Sequence, residues 1–174
     1  AISEFLGRYE DLEVDPAPFA GRGTRDRLPG DFSTPPSLRF GLFDVLRRIG
    51  GTEAEKILAA ALSQTGRGVE VAYLTRILQE LSPGQHRALA LAVAHNLLAN
   101  SGAFSSPSPL DRNHRDYLFA VLAFYKDASF AALAQAQMVR PDGQVDRGSV
   151  RYLQQTLGTQ SVALARQAYA DPRL

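Results

Sequence analysis

An all-α fold of stacked antiparallel helix pairs is what this sequence predicts, on three observations. Apolar residues recur at helical spacing along most of the 174-residue chain. Short breaks of Gly, Ser and Pro separate the periodic stretches. No stretch alternates apolar and polar residues as a half-buried strand does. The architecture expected is an α-solenoid or an orthogonal bundle with an irregular N-terminal arm, in one domain over residues 1–174.

Ile2, Phe5, Leu6 and Tyr9 predict a short amphipathic helix within residues 1–11. Residues 12–36 hold five of the chain's ten prolines (Pro16, Pro18, Pro29, Pro35, Pro36) with Gly21, Gly23 and Gly30, a composition that resists helix. Leu12, Val14, Phe19, Leu28 and Phe32 punctuate this segment. It therefore reads as an arm laid across the helices.

Residues 37–100 read as four helices. Leu38, Leu42, Val45, Leu46 and Ile49 share a stripe that predicts a buried face, ended by Gly50-Gly51. Thr52 and Glu55 fit a capping box for the next helix, whose inner face is Ala54, Ile57, Leu58, Ala61 and Leu62. After Gly66 and Gly68 comes a helix with Val71, Leu74, Leu78 and Leu81 inward and Tyr73, Arg76 and Glu80 on the opposite side. Ser82 and Gln85 fit a second capping box, with Pro83 at the first helical position. The helix from Pro83 to Asn100 is apolar nearly all round and is expected to be the most buried.

Residues 101–174 continue as further helical pairs. Ser101 to Pro109 reads as a loop, and Asp111 as the cap of a helix carrying Leu118, Val121, Leu122 and Tyr125. Phe130, Leu133, Ala134 and Met138 mark another helix, which ends before Pro141-Asp142-Gly143. Val150, Leu153 and Leu157 lead to Gly158-Thr159, and Val162, Ala165 and Tyr169 close the chain. Leu157-Gly158-Thr159-Gln160-Ser161-Val162 echoes Ile49-Gly50-Gly51-Thr52-Glu53-Ala54, as in an array of repeated helix–Gly–helix units.

The stretch VLRRIGGTEAEKILAAALSQTGRGVEVAYLTRILQEL, from Val45 to Leu81, resembles HEAT-type repeats, in particular the short repeats of phycobilin-lyase-like proteins. The residues that carry the resemblance are Ile49-Gly50-Gly51, Glu53-Ala54, Leu58, Ala61-Leu62 and Val71. Two positions depart from the pattern: Ala72 stands where an Arg commonly follows the Val, and Thr65-Gly66-Arg67-Gly68 replaces the usual acidic loop. The resemblance implies stacked helix pairs and an adaptor or scaffold surface. It covers about a third of the chain and specifies packing rather than chemistry.

Composition narrows function by exclusion. A formal net charge of +1, evenly spread, supplies no field to recruit nucleic acid or an anionic membrane. No cysteine is present, so thiolate and disulfide chemistry are excluded. No run approaches the ~20 apolar residues of a membrane span. The first residue is Ala, as expected of a chain whose upstream residues were removed: an exported protein after loss of its signal peptide, or a cytoplasmic fragment.

No Walker loop, dinucleotide fingerprint or His-Glu metal motif appears, and neither a cofactor nor a metal is expected. His86 and His95, nine residues apart on one helix, would face opposite ways and could not share a metal. The run from Pro141 to Asp146 places Met138, Arg140 and Ser149 where calcium would need oxygen ligands, and reads as a β-turn with a cap. Asp111 and His114, three apart, could form a base–orienter pair beside the aromatic span 117–130 (Tyr117, Phe119, Phe124, Tyr125, Phe130). The function expected is a non-catalytic scaffold that binds a protein or peptide through side chains such as Tyr73 and Arg76. The alternative is a small-molecule-binding or hydrolytic domain centred on Asp111 and His114.

Overall fold

Every regular element among the described residues of the computed structural model is helical, and strand-like pairing is limited to two isolated bridges, Glu13 with Ser37 and Val139 with Val145. The structure describes residues 2–8, 10–14, 28–29, 32, 34–100, 108–140 and 142–170. Residues 15–27, within the expected arm, and residues 101–107, within the expected loop, lie outside these. The chain divides into two units, Ala1–Val121 and Leu122–Leu174, with the boundary inside one helix, and each is described by itself.

The first unit contains α1 (Ile2–Leu6), α2 (Leu38–Ile49), α3 (Gly51–Gln64), α4 (Gly68–Leu81), α5 (Arg87–Ala99) and the start of α6 (His114–Phe124). A single residue, Gly50, separates α2 from α3. Its φ of +64° is a left-handed value that a side chain would resist, and its N–H closes α2 on the Leu46 carbonyl. Gly158 ends a later helix in the same way at φ +57°.

α4 is the centre of this unit. It packs against α2, α3, α5 and a short 3-10 turn at Pro109–Asp111, and ten of its fourteen residues are buried. α5, expected to be the most buried, buries only Ala90, Ala94 and Leu98. Small residues let it sit close along one line while Leu89, Leu91, Val93 and Leu97 stay half-buried.

The inward face of α2 also differs from expectation. Arg39, Phe40, Phe43 and Leu46 are buried, whereas Leu38, Val45 and Ile49 of the expected stripe are exposed. Both sets have helical spacing; the larger aromatic rings take the inward side because they remove more apolar surface from water. Phe40 packs edge-on against Phe43, and both Phe40 and Phe32 pack on the Tyr73 ring. Phe32, from the segment expected to form an arm, thus joins the aromatic core; most of that segment lies outside the described residues.

Neither expected capping box forms. α3 starts at Gly51, and the Glu55 carboxylate accepts from Ser82 Oγ and His86 Nε2, both at 2.7 Å, joining α3 to the turn before α5. Residues 83–86 form that turn, so α5 begins at Arg87 rather than Pro83.

The second unit holds the end of α6, then α7 (Ala131–Ala136), α8 (Arg147–Leu157) and α9 (Ser161–Tyr169). α8 packs on α7 and α9, burying Tyr152 and Leu153, and Tyr152 Oη donates to the Asp127 carbonyl at 2.7 Å. Burial pushes the Tyr152 phenol up to about 12, the nearby Asp127 adding to it. Before α8 the chain reverses between Val139 and Val145, and Ser149 Oγ donates to Asp146 at 2.6 Å.

Candidate functional site

The first turn of α4 gathers a cluster of buried and part-buried charged residues. Glu70 sits in an apolar run between Val69 and Val71, so α4 carries it into the core, where its side chain is fully buried. A buried carboxylate needs a charge partner and hydrogen bonds. Arg39 supplies both, with Nε at 2.8 Å and Nη2 at 3.0 Å in a two-pronged contact, and Thr65 Oγ1 donates a third bond at 2.8 Å. The remaining Arg39 nitrogen, Nη1, donates to the Leu6 carbonyl at 2.8 Å, which ties α1 to the same centre.

Arg67, one residue before α4, serves two segments, residues 11–13 and 108–111. Its Nη1 meets Asp11 Oδ2 at 2.7 Å, Nη2 meets Glu13 Oε1 and Ser108 Oγ at 3.1 Å each, and Nε meets Asp111 Oδ1 at 3.1 Å. Burial works to lower the Arg67 pKa, but Asp111, Glu70 and Asp11 outweigh it and hold the guanidinium above its ordinary value. Two guanidiniums thus face four carboxylates, and the carboxylates are spread around the cations. Among the described residues, no three His, Asp or Glu side chains are placed to hold a metal ion.

Two of the four sequence-derived candidates fall at this centre. Asp111 and His114 are both brought to the start of α4. Asp111 accepts from Arg67, and His114 Nδ1 accepts the Gly68 N–H at 2.9 Å. His114 thereby satisfies one of the amides that a helix start leaves open, with its own proton on Nε2. Tyr73, expected on an exposed side, is 0% exposed. Arg76 stacks over its ring at 5.1 Å and bonds Glu80 at 2.7 Å, with its side chain largely covered. The correction has a physical cause: the phenol body adds more to the aromatic core than its hydroxyl costs there.

Of the aromatic span, Tyr117 and Phe119 are buried in the first unit; in the second, Phe130 is buried and Phe124 is exposed. The second unit has a small apolar cleft of about 40 Å³ lined by Met138, Val145, Val150, Ala165 and Tyr169. No charged side chain lines it, so it offers little to orient a polar ligand.

Arg39, Arg67, Glu70, Asp11 and Glu13 were not singled out from sequence. The one local signal is Glu70, a charge amid apolar neighbours. No helix among the described residues is long and apolar enough to cross a membrane. The chain matches no family model, no curated protein and no solved structure.

His114 supplies a pH test. Burial lowers its pKa from the ordinary value of 6.5, Arg115 adds to this and Asp111 opposes it. Below about pH 6.5 the unfolded chain takes up a proton that the folded site resists, so stability falls with pH until the folded pKa is passed. Urea midpoints should therefore drop more between pH 7.5 and pH 5 in the native chain than in His114→Asn, whose amide oxygen can still accept from Gly68. Equal slopes would show that His114 does not titrate in this way.

Proposed function

We propose that this chain is a non-catalytic helical scaffold that binds a protein partner over the outward face of α2. The reading rests on one observation. Leu38, Val45 and Ile49, on one side of the helix, are 41%, 43% and 67% exposed, and Leu12 and Val14 beside the helix start are 65% exposed. The Leu38 N–H bonds the Leu12 carbonyl at 2.9 Å, so the two groups adjoin. A contiguous apolar face of this kind marks an interaction surface more often than scattered single residues do. Support also comes from the charged centre at α4, whose named groups are engaged in holding segments together. The HEAT-like pattern of Val45–Leu81 is consistent with a scaffold of this type.

The test is the double substitution Val45→Glu, Ile49→Glu. At exposed positions each change should alter stability by no more than about 0.5 kcal/mol. Cross-linking in the native source should lose a partner that the unsubstituted chain captures. An identical set of captured proteins would refute this reading.

A further inference from the structure

We infer that the notch between Arg67, Ser108 and the start of α2 is a binding site for an acidic extended peptide, filled in cis by residues 11–13 of this chain. The segment is held in the manner of a bound strand. Asp11 and Glu13 point inward and Leu12 and Val14 outward, the alternation of an extended chain. Its backbone pairs with residues 36–38: Val14 N donates to the Pro36 carbonyl and Leu38 N to the Leu12 carbonyl, both at 2.9 Å. This combines strand addition with Arg recognition of acidic side chains.

The receiving surface is shaped for carboxylates. Arg67 presents separate nitrogens to Asp11 and Glu13, and Ser108 Oγ also contacts Glu13. Asp11 Oδ1 accepts the Arg39 N–H at 3.1 Å, so it caps α2 from outside. Ser37 occupies the N-cap position, yet its side chain forms no capping bond, and its hydroxyl is fully buried without a hydrogen-bond partner. α2 therefore begins on groups that the acidic segment brings to it. With Leu12 and Val14 turned to solvent, charge and backbone bonds hold this segment, and these a peptide of the same chemistry reproduces. The ligand class is an extended segment with carboxylates two residues apart and apolar residues between and after them. The Leu12–Leu38 backbone bond also borders the α2 apolar face, but the Asp11 and Glu13 carboxylates read by the peptide experiment take no part in that face.

The experiment uses the full chain and a fluorescent synthetic peptide spanning residues 8–14. In the native chain the peptide competes with a tethered copy of itself, whose effective concentration is on the order of millimolar. Asp11→Asn with Glu13→Gln weakens that copy, and the variant should bind the peptide at least about tenfold more tightly than the native chain does. Asn and Gln at the same two peptide positions, or Arg67→Gln added to the variant, should remove the gain. A variant that binds no better, or that fails to fold, overturns the inference. So does equal binding of the uncharged peptide.

Amide exchange in the unsubstituted chain gives a second reading. Raising the salt to about 0.5 M screens part-exposed ion pairs. The Val14, Leu38 and Arg39 amides should then exchange several-fold faster while the amides within α4 stay unchanged. Exchange of those three only together with α4 would make the segment an inseparable part of the core and sink the idea.

Discussion

Glu70→Ala should lower the stability of the first unit by about 3–5 kcal/mol, the range for removing one partner of a buried ion pair. The side chains of Glu70 and Arg39 are 0% and 4% exposed. Without the carboxylate, Arg39 Nε and Nη2 lose their acceptor in a place where water does not replace it, and Thr65 Oγ1 loses its bond. Arg67 keeps Asp11, Glu13 and Asp111, so the uncompensated charge falls on Arg39. Domains of ordinary stability have about 5–15 kcal/mol in total, so the variant should be close to unfolding at 37 °C. Urea denaturation read by circular dichroism measures it. Replacing both residues with Met should recover most of the loss, because an apolar pair of similar volume leaves no charge behind. Recovery should stop short of complete, since Arg39 Nη1 also holds the Leu6 carbonyl. A loss below about 1 kcal/mol for Glu70→Ala would mean that this pair does not organise the unit.

The all-helical fold was legible because its signals are local. Gly50 ends α2 through a backbone angle that its own residue type permits, and apolar spacing marked the helices on either side. Which side of a helix faces inward is a different question. On α2 the expected stripe (Leu38, Leu42, Val45, Leu46, Ile49) and the pair Phe40 and Phe43 both fit helical spacing; of the stripe only Leu46 is buried, and the choice depends on Tyr73 and Phe32, which arrive from elsewhere. Tyr73 differs from expectation for the same reason: helical spacing sets it opposite Val71, Leu74 and Leu78, and the two aromatic rings that pack on it come from other parts of the chain. The capping boxes failed because Glu55 found Ser82 and His86, 27 and 31 residues away, in place of nearby amides. The centre at α4 was the least legible part. Asp11 meets Arg67 across 56 residues and Asp111 meets it across 44, and no sequence window spans either distance. The spacing of Asp111 and His114 did bring them to one place, but there the first bonds Arg67 and the second closes a helix start.

Gly68→Ala tests that helix start with the smallest possible change. A Cβ at Gly68 would lie 2.3 Å from the His114 carbonyl oxygen, 3.0 Å from the carbonyl carbon and 3.1 Å from Nδ1. The first two atoms are backbone, so neither can swing aside as the tip of a side chain would. Either α4 or the start of α6 must move, and a shift lengthens the 2.9 Å bond from Gly68 N to His114. Overpacking of this kind costs about 1–3 kcal/mol, and loss of the cap adds about 1 kcal/mol. Gly41→Ala is the matched comparison. Gly41 lies inside α2, where a Cβ would meet only Pro35 side-chain carbons at 3.6 Å, an ordinary contact. There the intrinsic preference of Ala for helix should raise stability by about 0.5–1 kcal/mol. One added methyl group thus has opposite effects in two helices of the same unit. Thermal melts of the two variants beside the native chain decide it. If Gly68→Ala melted with or above the native chain, His114 could not be packed against the first turn of α4, and the junction of Arg67, Asp111 and His114 would have to be drawn differently.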